Sequence, residues 1–320
     1  MNAVLKELEK FGIVPVIKID DAEKAVPLAK ALSAGGIPCA EVTLRTAQAE
    51  EAIRRITSEV PEVLVGAGTV LTCDQVDRAV SAGARFVVSP GLNPRVVERC
   101  IEKEIPVAPG CANPSDIEAA LEFGLDVVKF FPAEQAGGLE YIKAVSAPYP
   151  SLQFMPTGGI NAGNIARYLA FDKILACGGS WMASADLINA NAFDKITALS
   201  KEAVLNMLGF RLARIGINAE KKEEAERAAN LFHSLFGFVV NDNNNSVFAG
   251  EGIDLLQTAA GVHGHIAIGT ANIMRAAAYL ERNGVPLNHA DAKRDAKDKV
   301  IAVYLKEEIL GFKVHLIQTK

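Results

Sequence analysis

The sequence predicts an α/β protein: a (β/α)₈ TIM barrel followed by an α+β domain of paired βαβββ modules. Three observations lead there. Short β-branched or apolar runs alternate with longer segments of helical period eight times within the first two hundred residues. No GxGxxG turn follows the first run, which disfavours the doubly wound, dinucleotide-binding alternative. After Leu208 the alternation stops and a different order, itself repeated, takes over.

The predicted barrel strands are IVPVI (13–17), AEVTL (40–44), VLVGAG (63–68), FVVSPG (86–91), PVAPG (106–110), VVKFF (127–131), QFMPTGG (153–159) and ILACGG (174–179). Seven helical segments separate them, from AEKAVPLAKALSAGG to NAGNIARYLA, and NAFDKITALSKEAVLNML follows the eighth. In each, apolar residues recur at intervals of three and four, giving one buried stripe. Beyond the barrel, RLARIGINA (211–219) reads as a strand, EKKEEAERAANLFHSLFGF as a helix, and FVVND, SVFAG and GIDLLQT as strands, with DNNNS (242–246) a polar turn. GHIAIGT, NIMRAAAYLERNG, PLNHA, KVIAVYL and FKVHLIQT repeat that order after a break at Gly261. The expected domains are 1–207 and 208–320, the second built of modules at about 211–260 and 263–320.

Composition narrows the function classes. At 320 residues the chain exceeds the usual single core. Half the residues are hydrophobic and 22% charged, which excludes disorder, and no apolar run reaches the roughly 18–20 residues of a membrane span. The start, MNAVLKELEKFG, lacks the apolar core of a signal peptide, so a cytoplasmic protein is expected. With 33 Lys plus Arg against 38 Asp plus Glu there is no basic excess for nucleic acid. Cys39, Cys73, Cys100, Cys111 and Cys177 are odd in number and scattered, as buried thiols are.

In a barrel the C-terminal strand ends carry the chemistry. Lys129 stands there inside VVKFFPA, a run otherwise apolar. Burial disfavours the charged ammonium and favours the nucleophilic amine of a Schiff base; a strand-edge lysine or a buried ion pair is the plainer reading. Glu41, Thr43 and Arg45 alternate along AEVTLRT, which puts all three on the inward face of an extended strand. They are either a proton shuttle beside a carboxylate-binding guanidinium or a salt bridge that plugs the barrel. Thr69 follows VGAG at the equivalent end of the third strand. Thr157-Gly158-Gly159 and Gly178-Gly179-Ser180 close strands seven and eight, where backbone N–H groups of a barrel commonly hold phosphate. These parts together suit cleavage of a phosphorylated 2-keto acid.

At EVTLRT (41–46), VGAGTV (65–70), SPG (89–91), KFFPAE (129–134), PTGGI (156–160) and GGSW (178–181) the sequence resembles the 2-keto-3-deoxy-6-phosphogluconate (KDPG) and 4-hydroxy-2-oxoglutarate (KHG) aldolases, over about residues 5–205. The resemblance implies a class I aldolase, a homotrimer, with neither metal nor other cofactor, whose substrate is a small keto-acid phosphate. It implies that Lys129 forms the imine with pyruvate and that Glu41 shuttles protons. Arg45, Thr69, Pro90 and Phe131 would hold the pyruvate end, and Thr157, Gly158, Gly159, Gly178, Gly179 and Ser180 the phosphate. Neither a nucleic acid nor a membrane is an expected partner.

Residues 211–320 resemble a vicinal-oxygen-chelate (glyoxalase/bleomycin-resistance) domain through the paired βαβββ order and GHIAIGTANIMRAAAYLERNG. That resemblance implies a divalent metal held from four strand positions, which fall at Arg214, Asp254, His265 and His315. A guanidinium cannot ligate, so the readings are a three-ligand site of Asp254, His265 and His315, or a metal-free accessory module. His263 and His289 are expected in loops. A catalytically retired barrel with a metabolite-binding second domain, and a bifunctional protein with a metal-dependent lyase or isomerase, are the alternatives to an aldolase with an accessory domain.

Overall fold

The computed structural model describes residues 1–243, 246–256 and 261–319, and the chain divides into two compact units, Met1–Met207 and Leu208–Lys320. No helix among the described residues is long and apolar enough to cross a membrane.

In the first unit the strands are β1 (Ile13–Ile17), β2 (Cys39–Thr43), β3 (Leu64–Gly68), β4 (Val87–Val88), β5 (Val107–Ala108), β6 (Val127–Phe130), β7 (Gln153–Pro156) and β8 (Cys177–Gly179). All pair in parallel, in the order β5-β4-β3-β2-β1-β8 and β6-β7. Parallel bridges Gly110↔Lys129, Phe154↔Ile174 and Thr157↔Gly178 join the two pieces, so the eight strands close into a ring. A closed ring covered by helices buries both faces of each strand, and β2 and β3 are buried at all five positions. That is why these strands read as apolar runs.

Helices fill the intervals: α1 (Ala3–Phe11) before β1, then α2 (Ala25–Ala34), α3 (Ala49–Glu59), α4 (Cys73–Ser81), α5 (Pro94–Glu102), α6 (Pro114–Glu122), α7 (Gly138–Ser146), α8 (Ile165–Leu169), α9 (Ala185–Asn189) and α10 (Phe193–Leu208). Their starts are written locally. Thr72 and Gln75 form a capping box on α4, and Asn93-Pro94 and Asn113-Pro114 put an amide cap before a first-turn proline on α5 and α6. Four cysteines are buried and Cys73 is half-buried; burial pushes the Cys100 and Cys111 thiols up to about 12, too high for nucleophiles.

In the second unit, β9 (Arg211–Asn218), α11 (Lys222–Phe236), β10 (Val240–Asn243), β11 (Ser246–Ala249) and β12 (Ile253–Leu256) precede β13 (Gly264–Thr270), α12 (Ile273–Arg282), β14 (Leu287–Arg294), β15 (Val300–Leu305) and β16 (Phe312–Gln318). They make one eight-stranded sheet, β10-β11-β12-β9-β13-β16-β15-β14. The first strand of each half lies parallel to its last, β9 to β12 and β13 to β16, and the halves meet antiparallel through β9 and β13. Ala225 and Ala229 of α11 pack on Val247, Ala249 and Leu255 of the sheet. Residues 244–245 of the expected polar turn, and 257–258 at the end of GIDLLQT, lie outside the described residues. His289 lies in β14, not in a loop, with its ring on Glu281.

Phe154 of β7 is fully buried in the barrel wall. Phe154→Ala is expected to cost about 3–5 kcal/mol, from lost transfer energy plus the cavity left. A lowered urea midpoint of the barrel's unfolding transition, followed by tryptophan fluorescence, is the measurement.

Candidate active site

Lys129 and Glu41 meet inside the barrel. Lys129 Nζ donates to Glu41 Oε1 at 3.4 Å, and the residues are 5% and 0% exposed. The two are 88 positions apart, so only closure of the ring brings them together. Glu41 has room because β3 carries Gly68 beside it: any Cβ there would collide with the carboxylate. Glu41 Oε2 is buried without a hydrogen-bond partner, which leaves a carboxylate oxygen available for a proton. The Phe131 ring, 39% exposed, lies with its centroid 5.3 Å from Lys129 Nζ and offers the ammonium a π face. The Phe131–Pro132 peptide is cis.

Arg45 departs from the expectation. β2 ends at Thr43, and Leu44–Arg45 form a turn, so Glu41, Thr43 and Arg45 do not share one strand face. Thr43 Oγ1 donates to the Ile17 carbonyl and accepts from Arg45 Nε at 3.2 Å, tethering an exposed guanidinium at the mouth. Glu41 pairs with Lys129, and no bond to Arg45 plugs the barrel. Thr69 is half-buried at φ 58°, a left-handed backbone that costs a β-branched residue on the order of 1–3 kcal/mol. Pro90 is half-buried after β4, with its carbonyl against Gly110.

The two glycine turns lie side by side through the Thr157↔Gly178 bridge. Gly158 and Gly159 take φ 101° and 78°, open to glycine alone at little cost. Their carbonyls are tied back: Gly158 O accepts from Glu134 N at 3.1 Å, and Gly159 O from Asn161 Nδ2 at 3.1 Å and Asn164 Nδ2 at 3.0 Å. Thr157 is buried with Oγ1 unpartnered, Gly178 and Gly179 are buried in β8, and Ser180 is exposed just past it. Sequence reasoning missed the support beneath this turn. Glu134 packs against Gly159 and accepts from the hydroxyl of the fully buried Tyr168, whose pKa burial and that carboxylate push up. Glu134 stood in the KFFPAE motif; Tyr168 was hidden among the apolar positions of its helix.

The second unit gathers Asp254, His265 and His315 on the sheet face away from α11. Asp254 alternates with the helix-facing Leu255, and the register Asp254↔Gly216↔His265 carries that face across β12, β9 and β13. Ala267↔Arg214, Ala267↔His315 and Tyr304↔His315 extend it. His265 Nε2 lies 3.7 Å from Asp254 Oδ2, and the His265 and His315 ring centroids are 5.0 Å apart. Among the described residues no three His, Cys, Asp or Glu side chains are placed to hold a metal ion. Arg214, a permanent cation, occupies the fourth position. The donor set does not fit the divalent metal that the vicinal-oxygen-chelate resemblance implies.

Two outcomes follow from this geometry. Glu41→Leu alone is expected to destabilise the barrel by about 3–5 kcal/mol by stranding the buried ammonium, whereas Glu41→Leu with Lys129→Met restores most of the loss; urea titrations of the double-mutant cycle read both. Burial, then His265, Arg214 and Lys293, push His315 down to about 3 from 6.5. Between those values the unfolded chain binds a proton that the folded chain refuses, so the second unit loses stability as pH falls from about 6.5 toward 3. Thermal unfolding across that range should show the loss, and a shallower slope in His315→Gln.

A family model described as KDPG and KHG aldolase matches residues 4–199. A 2-dehydro-3-deoxy-phosphogluconate aldolase of Treponema pallidum (strain Nichols) is 51% identical over 204 residues, 64% of this chain and 97% of the relative. The KHG/KDPG aldolase of Escherichia coli K12 is 46% identical over 192 residues, 60% of this chain and 90% of the relative. Among solved structures, a KDPG aldolase from Legionella pneumophila, with pyruvate captured at low pH as a covalent carbinolamine intermediate, matches at a TM-score of 0.61 and 40% identity, covering 62% of this chain and 97% of that one. The Zymomonas mobilis ZM4 enzyme, solved with 3-phosphoglycerate, matches at 0.58 and 42%, covering 62% and 94%. With a closed parallel barrel and a buried lysine–glutamate pair in the matched region, the chain belongs to the KDPG/KHG aldolase family.

Proposed function

We propose that the barrel is a class I aldolase that cleaves 2-keto-3-deoxy-6-phosphogluconate to pyruvate and glyceraldehyde 3-phosphate, or 4-hydroxy-2-oxoglutarate to pyruvate and glyoxylate. The observation that carries this reading is the enclosed Lys129–Glu41 pair. Lys129 Nζ, once neutral, attacks the C2 carbonyl, and loss of water gives a protonated imine. The imine draws electrons from the adjacent carbons, so C3–C4 cleavage leaves a neutral enamine in place of a carbanion. Glu41 takes the C4 hydroxyl proton as the aldehyde departs and returns a proton to C3; water then hydrolyses the imine and frees Lys129. Glu41 Oε2, unpartnered, is the oxygen suited to that shuttle.

In this reading Arg45, held by Thr43, meets the substrate carboxylate, with Thr69, Pro90 and Phe131 around the pyruvate end. The turns at Thr157–Gly159 and Gly178–Ser180 supply backbone N–H groups to the phosphate, a role favoured by peptide planes held from behind through their carbonyls. Glu134 and Tyr168 act through that turn, as positioning residues. The family resemblance adds a homotrimer to this reading, to be tested by light scattering. Residues 208–320 are read as a vicinal-oxygen-chelate-like accessory domain of two βαβββ modules, supported by the mirror order of its sheet about β9 and β13.

Borohydride reduction in the presence of pyruvate should leave a pyruvyl adduct on Lys129, located by peptide mass spectrometry. Lys129→Ala should lose the adduct and lower kcat on the order of 10⁴-fold or more. Absence of both adduct and cleavage in the wild type would end the aldolase reading. Tyr168→Phe should form the adduct normally while raising KM several-fold for the phosphorylated substrate and not for 4-hydroxy-2-oxoglutarate.

A further inference from the structure

Among the described residues, four buried polar atoms on the face of the second sheet away from α11 have no hydrogen-bond partner: Arg214 Nε, Asp254 Oδ1, His265 Nε2 and His315 Nδ1. Their convergence follows from the strand register described above, and Asp254, His265 and His315 are 5%, 5% and 3% exposed. A buried polar atom left unpaired costs about 1–3 kcal/mol, so a native sheet does not gather four of them on one face without a molecule to satisfy them. The rim is open: Arg214, Phe248 and Tyr304 are half-buried and Lys293 is exposed.

The chemistry of the four atoms restricts that molecule. Arg214 only donates, and its guanidinium lies over the Phe248 ring, 5.9 Å from the centroid, which limits how it can turn. The Asp254 carboxylate only accepts. Each imidazole turns an unpartnered ring nitrogen to this face, and a neutral ring offers one donor and one acceptor. The Tyr304 ring lies tilted against His315, 4.6 Å between centroids, and limits how that ring can turn. Gly216 gives His265 its space, since a Cβ there would meet the imidazole. Arg214 and Lys293 against Asp254 leave one positive charge, wrong for a metal ion and right for a monoanion. The partner of Asp254 Oδ1 must be a donor, which a bare anion lacks.

We propose that this face binds a small hydroxy-carboxylate, with its carboxylate on Arg214 and its hydroxyl donating to Asp254 Oδ1. His265 and His315 hydrogen-bond the oxygens between, and Lys293 sits at the rim. The proposal stands apart from the aldolase reading, because none of these residues belongs to the barrel.

All five histidines lie beyond residue 207, so selective ¹³C,¹⁵N-histidine labelling of the full-length protein watches this unit alone. Titration with lactate should move the His265 and His315 imidazole resonances along a saturable, one-to-one curve and leave His233 and His289 in place. Pyruvate, which lacks the hydroxyl, and inorganic phosphate should bind at least about tenfold more weakly. Arg214→Gln should weaken lactate about tenfold or more, and Asp254→Asn should erase the preference for lactate over pyruvate. Unchanged circular dichroism and unmoved His233 and His289 resonances would show that the second unit of both variants folds. No saturable movement with lactate overturns the proposal. So does a one-to-one response to Zn²⁺ without one to lactate, which would make the face a metal site. Equal affinity for lactate and phosphate overturns the hydroxy-carboxylate assignment in favour of a general anion site.

Discussion

The barrel is organised around one costly contact, a lysine and a glutamate brought together out of water. Taking both charges from solvent costs several kcal/mol each, and the mutual attraction at 3.4 Å returns that only in part. Apolar residues of similar volume would serve stability better. The surroundings nonetheless specify the pair: β3 gives up a side chain at Gly68 to admit the carboxylate, and Phe131 covers the ammonium. A fold that bears such a cost keeps it for chemistry, because a lysine nucleophile needs desolvation and a nearby group to manage its proton.

Ring closure is the second requirement that follows. β2 and β6 are not neighbours in the ring, and the Lys129–Glu41 contact crosses its interior. The bridges Gly110↔Lys129 and Thr157↔Gly178 lie at this same end, so the elements that seal the barrel also place the lysine and align the two glycine turns. Strain concentrates here as well, in Thr69 at positive φ. Assembly of the site and completion of the barrel are one event.

The barrel was legible because burial on both faces of parallel strands writes unbroken apolar runs, and one-sided helices write a period near 3.6. Shorter or irregular pieces were not. β4 and β5 are two residues each, far shorter than FVVSPG and PVAPG suggest, because the curved ring spends the rest of those runs in loops. Charge in MNAVLKELEKFG masked α1, and α9 is a five-residue helix without a full periodic stripe. Alternation placed Arg45 on β2, yet the chain turns at Leu44, and a single hydrogen bond to Thr43 holds the guanidinium near the mouth. Tyr168 was invisible for a different reason: a residue that is apolar by volume and polar by one atom reads as core. In the second unit the chain order shows Arg214 only as a residue that cannot ligate, because the strand register that sets it beside Asp254, His265 and His315 is not written in local sequence.

Unpaired buried polar atoms cluster in both units. Among the described residues eight buried side-chain polar atoms lack a partner, and Glu41 Oε2 and Thr157 Oγ1 belong to the barrel site. Four more, on Arg214, Asp254, His265 and His315, share one sheet face; Gln153 Oε1 and Ser200 Oγ lie apart from both groups. Native interiors satisfy nearly all their polar groups, so orphans that cluster mark places built to be completed from outside. In the barrel the unpaired atoms are a carboxylate oxygen and a threonine hydroxyl, on two residues that the family resemblance also implies. In the second unit, where a permanent cation stands in the way of a metal, they select an anion with a hydrogen-bond donor.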